Sequence, residues 1–121
     1  MEIIADSRRL PPELLGLICR CRPHGAISPV TDTLLGAGLP EGCRIGLSGG
    51  RWAVLDNGVA MMSDRTGFAG SVVTPERCLR ALWKEADLPL GTAVAMMTVD
   101  PCRVMGLERR AECLPRAWMP I

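Results

Sequence analysis

The chain has 121 residues, 48% of them apolar, and fourteen basic residues against thirteen acidic ones leave a formal net charge of +1. That is one small domain, able to bury a core but without much margin, and far too apolar for a disordered tail. A nucleic-acid binder would show a basic excess or stripe, and four aromatics (Trp52, Phe68, Trp83 and Trp118) make no stacking platform for single strands.

The N-terminus, Met1-Glu2-Ile3-Ile4-Ala5-Asp6, carries an early acid and no long apolar stretch, unlike a signal peptide. Residues 2–5 read as a short buried strand, left by the polar loop Asp6-Ser7-Arg8-Arg9. Pro11-Pro12 opens a helix, since proline suits a first turn. Leu14, Leu17, Ile18 and Cys21 follow at helical spacing, and Pro23-His24-Gly25 ends the helix. Residues 26–31 predict a second strand ending at Thr31-Asp32. Strand–helix–strand order with polar loops after each strand is one βα unit of a parallel sheet.

From Gly36 to Gly50 the chain is glycine-rich and reads as turns. Residues 51–62 predict a β-hairpin about Asn57-Gly58, because both positions of that turn require positive φ. Ser63 to Ser71 reads as a loop. Thr74-Pro75-Glu76 is a helix start with a capping hydroxyl, a proline and an acid, and Cys78, Leu79, Leu82 and Ala86 form its apolar face. Pro89 begins another helix with Leu90, Ala93, Val94 and Met97 inward. Asp100-Pro101 caps a last short helix that stops at Gly106. The remainder, 108–121, has no clear period and reads as a divergent or disordered tail.

No window approaches the roughly 18 consecutive apolar residues of a membrane span. The expectation is a cytoplasmic protein with neither nucleic-acid nor membrane partners. Six cysteines stand at 19, 21, 43, 78, 102 and 113. Without a secretory signal they do not read as a disulfide framework. Cys78 and Cys102 fall on apolar helical faces and read as small buried hydrophobes. A zinc site on Cys19, Cys21, Cys43 and His24 is disfavoured. The Cys-x-Cys gap is short for structural zinc, and on a helix those two side chains diverge.

Four stretches together carry a resemblance. Ile4-Ala5-Asp6-Ser7-Arg8-Arg9-Leu10-Pro11-Pro12 resembles I-A-D-G-x-H-x-x-P. Val30-Thr31-Asp32-Thr33 followed by Ala37-Gly38-Leu39-Pro40-Glu41-Gly42 is similar to V-T-D-A…A-G-x-P-x-G. Phe68-Ala69-Gly70-Ser71 stands where L-A-G-S would, and residues 95–107 resemble R-M-A-T-x-N-P-A-R-x-L-G-L. In this order they resemble the C-terminal part of the N-acetylglucosamine-6-phosphate deacetylases of the amidohydrolase superfamily.

The resemblance implies an α/β chain: residues 1–107 as a partial amidohydrolase barrel domain, the last two strands and following helices of a (β/α)₈ barrel, with an inserted β-hairpin. Strands 2–6 and 26–32 would point their C-terminal ends at the active site. It implies metal-assisted hydrolysis of the acetamide of N-acetylglucosamine or N-acetylgalactosamine 6-phosphate, by a water activated on a zinc-like divalent cation. Asp32 stands where the family has the aspartate that moves the proton; alone, it reads as a turn cap. Asp6, Ser7, Arg8 and Arg9 would line the sugar site, with Arg9 replacing a histidine and Ser7 a glycine; the alternative for Arg8 and Arg9 is a solvated surface. Phe68, Ala69 and Gly70 match a substrate-touching backbone segment, or else a tight loop. Pro29 departs from the pattern, since a central strand wants its missing donor.

The family's metal ligands, a glutamate and two histidines, lie on earlier strands, and this chain has one histidine, His24. One histidine and Asp32 do not make a three-ligand site. No metal is therefore expected on this chain alone. The implied protein is a truncated or separately encoded portion, inactive in isolation. Its possible partners are an amino-sugar phosphate, a complementary N-terminal chain completing a split barrel, or further copies of itself. A non-catalytic interaction module is the remaining alternative.

Overall fold

The computed structural model describes residues 1–22 and 25–107. His24 and the 108–121 tail, with Cys113, lie outside the described residues. There are two small sheets, and the helices pack on the parallel one. Strand β1 (Glu2–Ile4) leads through helix α1 (Pro12–Cys21) to β2 (Ser28–Val30), which lies parallel beside it with Ile3 opposite Pro29. Four strands follow as an antiparallel meander, β3 (Arg44–Gly46), β4 (Trp52–Asp56), β5 (Val59–Met62) and β6 (Phe68–Ser71). Helices α2 (Pro75–Arg80), α3 (Leu90–Met97) and α4 (Val99–Val104) complete the described chain.

The parallel βα unit forms where hydrophobic patterning placed it. The hairpin does too: Asn57 and Gly58 take φ 54° and 76°, the left-handed values their turn demands. Two expectations need correction. The glycine-rich stretch 36–50 contains β3, and the loop assigned to 63–71 ends in β6. The hairpin is thus the middle of a four-stranded sheet, which makes sense energetically, because an isolated two-stranded hairpin is only marginally stable in water. β6 escaped notice because Gly70 looks like a loop residue. It is there for clearance: a Cβ on Gly70 would stand 2.3 Å from the Leu34 side chain.

α2 is capped by Thr74, whose hydroxyl accepts the Arg77 N–H at 3.4 Å. Past Arg80 the helix widens, and Ala86 N–H bonds back to Ala81 O across five residues. The bulge brings the Ala86 carbonyl against α1, where Gly16 makes room; a Cβ there would meet that oxygen at 2.9 Å. α4 is led in by Thr98, ahead of the Asp100 cap expected of it; Asp100 instead lies buried in its first turn, paired with Arg103 at 3.1 Å.

The main core joins both parallel strands to the helices through Ile3, Ala5, Leu15, Ile27, Cys78 and Leu82, among others. A second, smaller core lies under the meander, built on Ile45, Ala53, Leu55 and Ala60. Cys78 is fully buried as its helical position suggests, whereas Cys102 is only half-buried. No helix among the described residues is long and apolar enough to cross a membrane.

Leu82 is wholly enclosed in the main core. Leu82→Ala is expected to lower the unfolding free energy by about 2–5 kcal/mol, read as a fall in the urea midpoint, and a change under 1 kcal/mol would mean this core is not formed in solution.

Candidate functional site

Both parallel strands end in a residue held in the left-handed region: Ser7 at φ 55° after β1 and Asp32 at φ 43° after β2. Non-glycine residues adopt that conformation at a cost, and such strain collects where loops are held for a purpose. The two loops are built differently.

In the β1 loop, Asp6 is 3% exposed, yet its carboxylate is fully engaged. Oδ1 accepts the backbone N–H groups of Arg8 and Arg9, both at 2.9 Å, and Oδ2 accepts Arg9 Nη1 at 2.6 Å. A buried carboxylate is tolerable on these terms, with its charge paired and its lone pairs filled. Arg9 is therefore no solvated surface arginine. Its guanidinium is pinned by Asp6 and sits 5.9 Å from the centre of the Phe68 ring, a cation–π approach linking the β1 loop to β6. Arg8 is exposed, and it lines one shallow cleft with Ser7, Asp56, Asn57, Val59, Met61 and Phe68. Ser7 Oγ lies buried there without a hydrogen-bond partner.

Asp32 is exposed and borders an open hollow over the parallel strands, formed by Glu2, Ile3, Ile4 and Val30. The chain beyond it is tied to β6. Thr33 pairs with Ser71, Leu34 N–H donates to Ser71 O at 2.8 Å, and the Leu34 side chain covers Gly70. Strand β6 thus touches both loops, at Phe68 through Arg9 and at Ser71 through Thr33. Of the predicted groups, Phe68 to Gly70 lie on this strand and Arg9 meets it at Phe68, while Asp32 stands one residue before the Thr33 contact and faces the hollow over the parallel strands.

Sequence reading missed how Asp6 is used. The available signal was an aspartate followed by two residues whose N–H groups it can cap, with an arginine three positions on. It also missed Asp56 and Asn57, which reach the Ser7–Arg8 cleft from the hairpin turn.

The cation that the resemblance implies does not fit these residues. Among the described residues no three of His, Cys, Asp and Glu stand together. Asp6 is taken up by three hydrogen bonds of its own loop, and the hollow beside Asp32 brings in Glu2 alone.

Burial pushes the Cys78 thiol, behind β1, up to about 11 from the ordinary 9.0, with the Asp6 carboxylate adding to the effect. Its neutral form is thus favoured by folding. That contribution is whole below pH 9.0 and fades as pH rises toward about 11. At neutral pH Cys78 should be the last cysteine to react with iodoacetamide and the exposed Cys21 among the first, as read by peptide mass mapping. Early labelling of Cys78 would contradict the packing described.

Ser7 carries both a left-handed backbone and an unsatisfied hydroxyl. Ser7→Gly removes the two together and is expected to raise the unfolding free energy by about 1 kcal/mol, with the m-value unchanged.

No protein-family model and no curated protein sequence matches this chain. Solved structures do. The N-acetyl-D-glucosamine-6-phosphate deacetylase of Mycobacterium smegmatis, in complex with N-acetyl-D-glucosamine-6-phosphate, is similar at 27% identity and TM-score 0.77, over 88% of this chain and 28% of that one. The Thermotoga maritima enzyme matches at 23% identity and TM-score 0.77, over 88% and 29%. The Pasteurella multocida enzyme matches at 19% identity and TM-score 0.79, over 89% and 27%. The chain therefore spans between 27% and 29% of the length of these structures. Its fold is that of a portion of the N-acetylglucosamine-6-phosphate deacetylases, in agreement with the resemblance carried by the four sequence stretches.

Proposed function

We propose that this chain is the C-terminal portion of an N-acetylhexosamine-6-phosphate deacetylase barrel, contributing its last two strands, the proton-carrying aspartate and part of the sugar rim. The observation that carries the reading is the parallel pairing of β1 with β2, which leaves the Asp6–Arg9 loop and Asp32 at the same end of one sheet. In barrel enzymes chemistry gathers at that end. The similarity to a sugar-phosphate-bound deacetylase over 88% of the chain supports the substrate class.

In this reading Asp32 takes a proton from the attacking water and returns it to the departing amine. Its exposure and lack of a charged partner among the described residues suit that task. The Asp6 ion pair acts one step removed: it holds Arg9 and Phe68 so that Ser7, Arg8 and the β6 backbone face the sugar. Because the described side chains do not assemble a cation site, hydrolysis by the lone chain is no part of the proposal.

A second reading is favoured by a specific feature. Among the described residues, β1 and β2 pair only with each other, so each leaves an edge open. Parallel strands are ordinarily enclosed, and open edges invite strands from another chain. A complementary polypeptide carrying the earlier barrel strands would close both and restore the enzyme.

The tests separate these readings. The purified chain with N-acetylglucosamine 6-phosphate and zinc is expected to release no glucosamine 6-phosphate. Turnover abolished by Asp32→Asn would overturn the view that it is incomplete. Mixed with a polypeptide spanning the earlier barrel strands, it should yield an active complex, in which Asp32→Asn lowers kcat by about 10²–10⁴. An active complex indifferent to Asp32 would remove this residue from the chemistry.

A further inference from the structure

The hairpin turn offers a chemical site unrelated to hydrolysis. Asparagine followed by glycine can cyclise, because the glycine nitrogen, unhindered by a Cβ, lies next to the asparagine side-chain carbonyl. Asn57 and Gly58 are both exposed, at the tip between β4 and β5. Asp56 and Val59 close the ladder beneath them. In such a two-residue turn the second amide has no partner within the hairpin. Here it has one from outside: Gly58 N–H donates to Glu41 Oε1 at 2.9 Å. Glu41 reaches that position because the neighbouring Gly42 N–H is fixed to Leu55 O at 2.8 Å.

We propose that Asn57 is a deamidation site held in check by the Glu41 carboxylate. Ring closure requires Gly58 to give up its amide proton. The nitrogen then attacks Asn57 Cγ, a new C–N bond forms, and the Cγ–Nδ2 bond breaks as ammonia departs with that proton. Water opens the resulting succinimide to an aspartyl or an isoaspartyl linkage. Glu41 opposes the first step. An amide nitrogen stripped of its proton would face a carboxylate at hydrogen-bond distance, and two negative charges that close repel strongly. The hydrogen bond also holds the turn in its left-handed geometry, away from the rotation that ring closure needs.

The modification would alter the neighbouring cleft. Asn57 lines it together with Ser7, Arg8 and Phe68. A Cβ built on Gly58 would stand 3.6 Å from Arg8 Nε. Deamidation therefore adds a permanent negative charge to a cleft that already holds Arg8 and Asp56. The change is one-way, and its pace is set by how often Gly58 N–H parts from Glu41.

The test is peptide mapping of the Trp52–Arg65 tryptic segment after prolonged incubation at neutral pH, resolving asparaginyl, aspartyl and isoaspartyl forms. Glu41→Gln keeps an oxygen acceptor but removes the charge; it is expected to deamidate several-fold faster than the unaltered chain, and Glu41→Ala at least as fast. In concentrated urea all three should convert at one rate, since Glu41 no longer reaches Gly58. Equal rates for the folded chain and Glu41→Gln would overturn the proposal. So would a folded chain that converts as fast as the same chain in urea.

Discussion

The contact on which this small protein depends is the parallel pairing of two three-residue strands, Glu2–Ile4 with Ser28–Val30. Three residues of ladder supply few hydrogen bonds. The pair persists because the faces of Ile3 and Ile27 are sealed by Leu15, Cys78 and Leu82 from the helices. Once the strands lie side by side, the direction in which each ends is settled, and so is the meeting of the two loops. Asp6 then fixes one loop by its own hydrogen bonds, and β6 fixes the other through Ser71. Local turn chemistry places side chains; the buried ladder places the turns.

The division of labour between the two aspartates follows from burial. Asp6 and Asp32 occupy equivalent positions after adjacent strands, yet one is enclosed and saturated while the other is open. An enclosed carboxylate whose oxygens are filled has no capacity left for a ligand, and its energy goes into loop geometry. An open one keeps its access. The replacement of the family's histidine by Arg9 belongs to the same logic, because the guanidinium is consumed by Asp6 and Phe68. Arg8, by contrast, is left exposed at the surface of that loop.

Much of this was legible in the chain itself. The Thr74-Pro75-Glu76 start and the Asn57-Gly58 turn each state a local requirement that the fold then meets; α1 forms where the spacing from Leu14 to Cys21 put it, but it buries Leu15 while Leu14 and Leu17 stay exposed. What escaped were β3 and β6, whose strand character is imposed by neighbours. Arg44–Gly46 is too short to show alternation, and Gly70 signals a turn locally while serving clearance for Leu34 globally. The candidate residues were found through likeness to a family, but their relations were not. That Phe68 arrives against Arg9 depends on a strand far along the chain, and no local pattern encodes that.

Pro29 sits at the centre of β2, opposite Ile3, where a proline had looked out of place. The neighbouring Ser28 N–H points to β1 and is bonded to Met1 O at 2.9 Å. Since successive amides of a strand face opposite sides, the donor that proline lacks belongs to the far margin of β2, away from β1. The two margins of this sheet are consequently unequal. The β1 margin offers a full complement of donors and acceptors to an incoming strand, whereas the β2 margin is blunted at its middle. A strand joining this sheet from outside therefore finds an unbroken row of partners along β1 and a gap at the middle of β2.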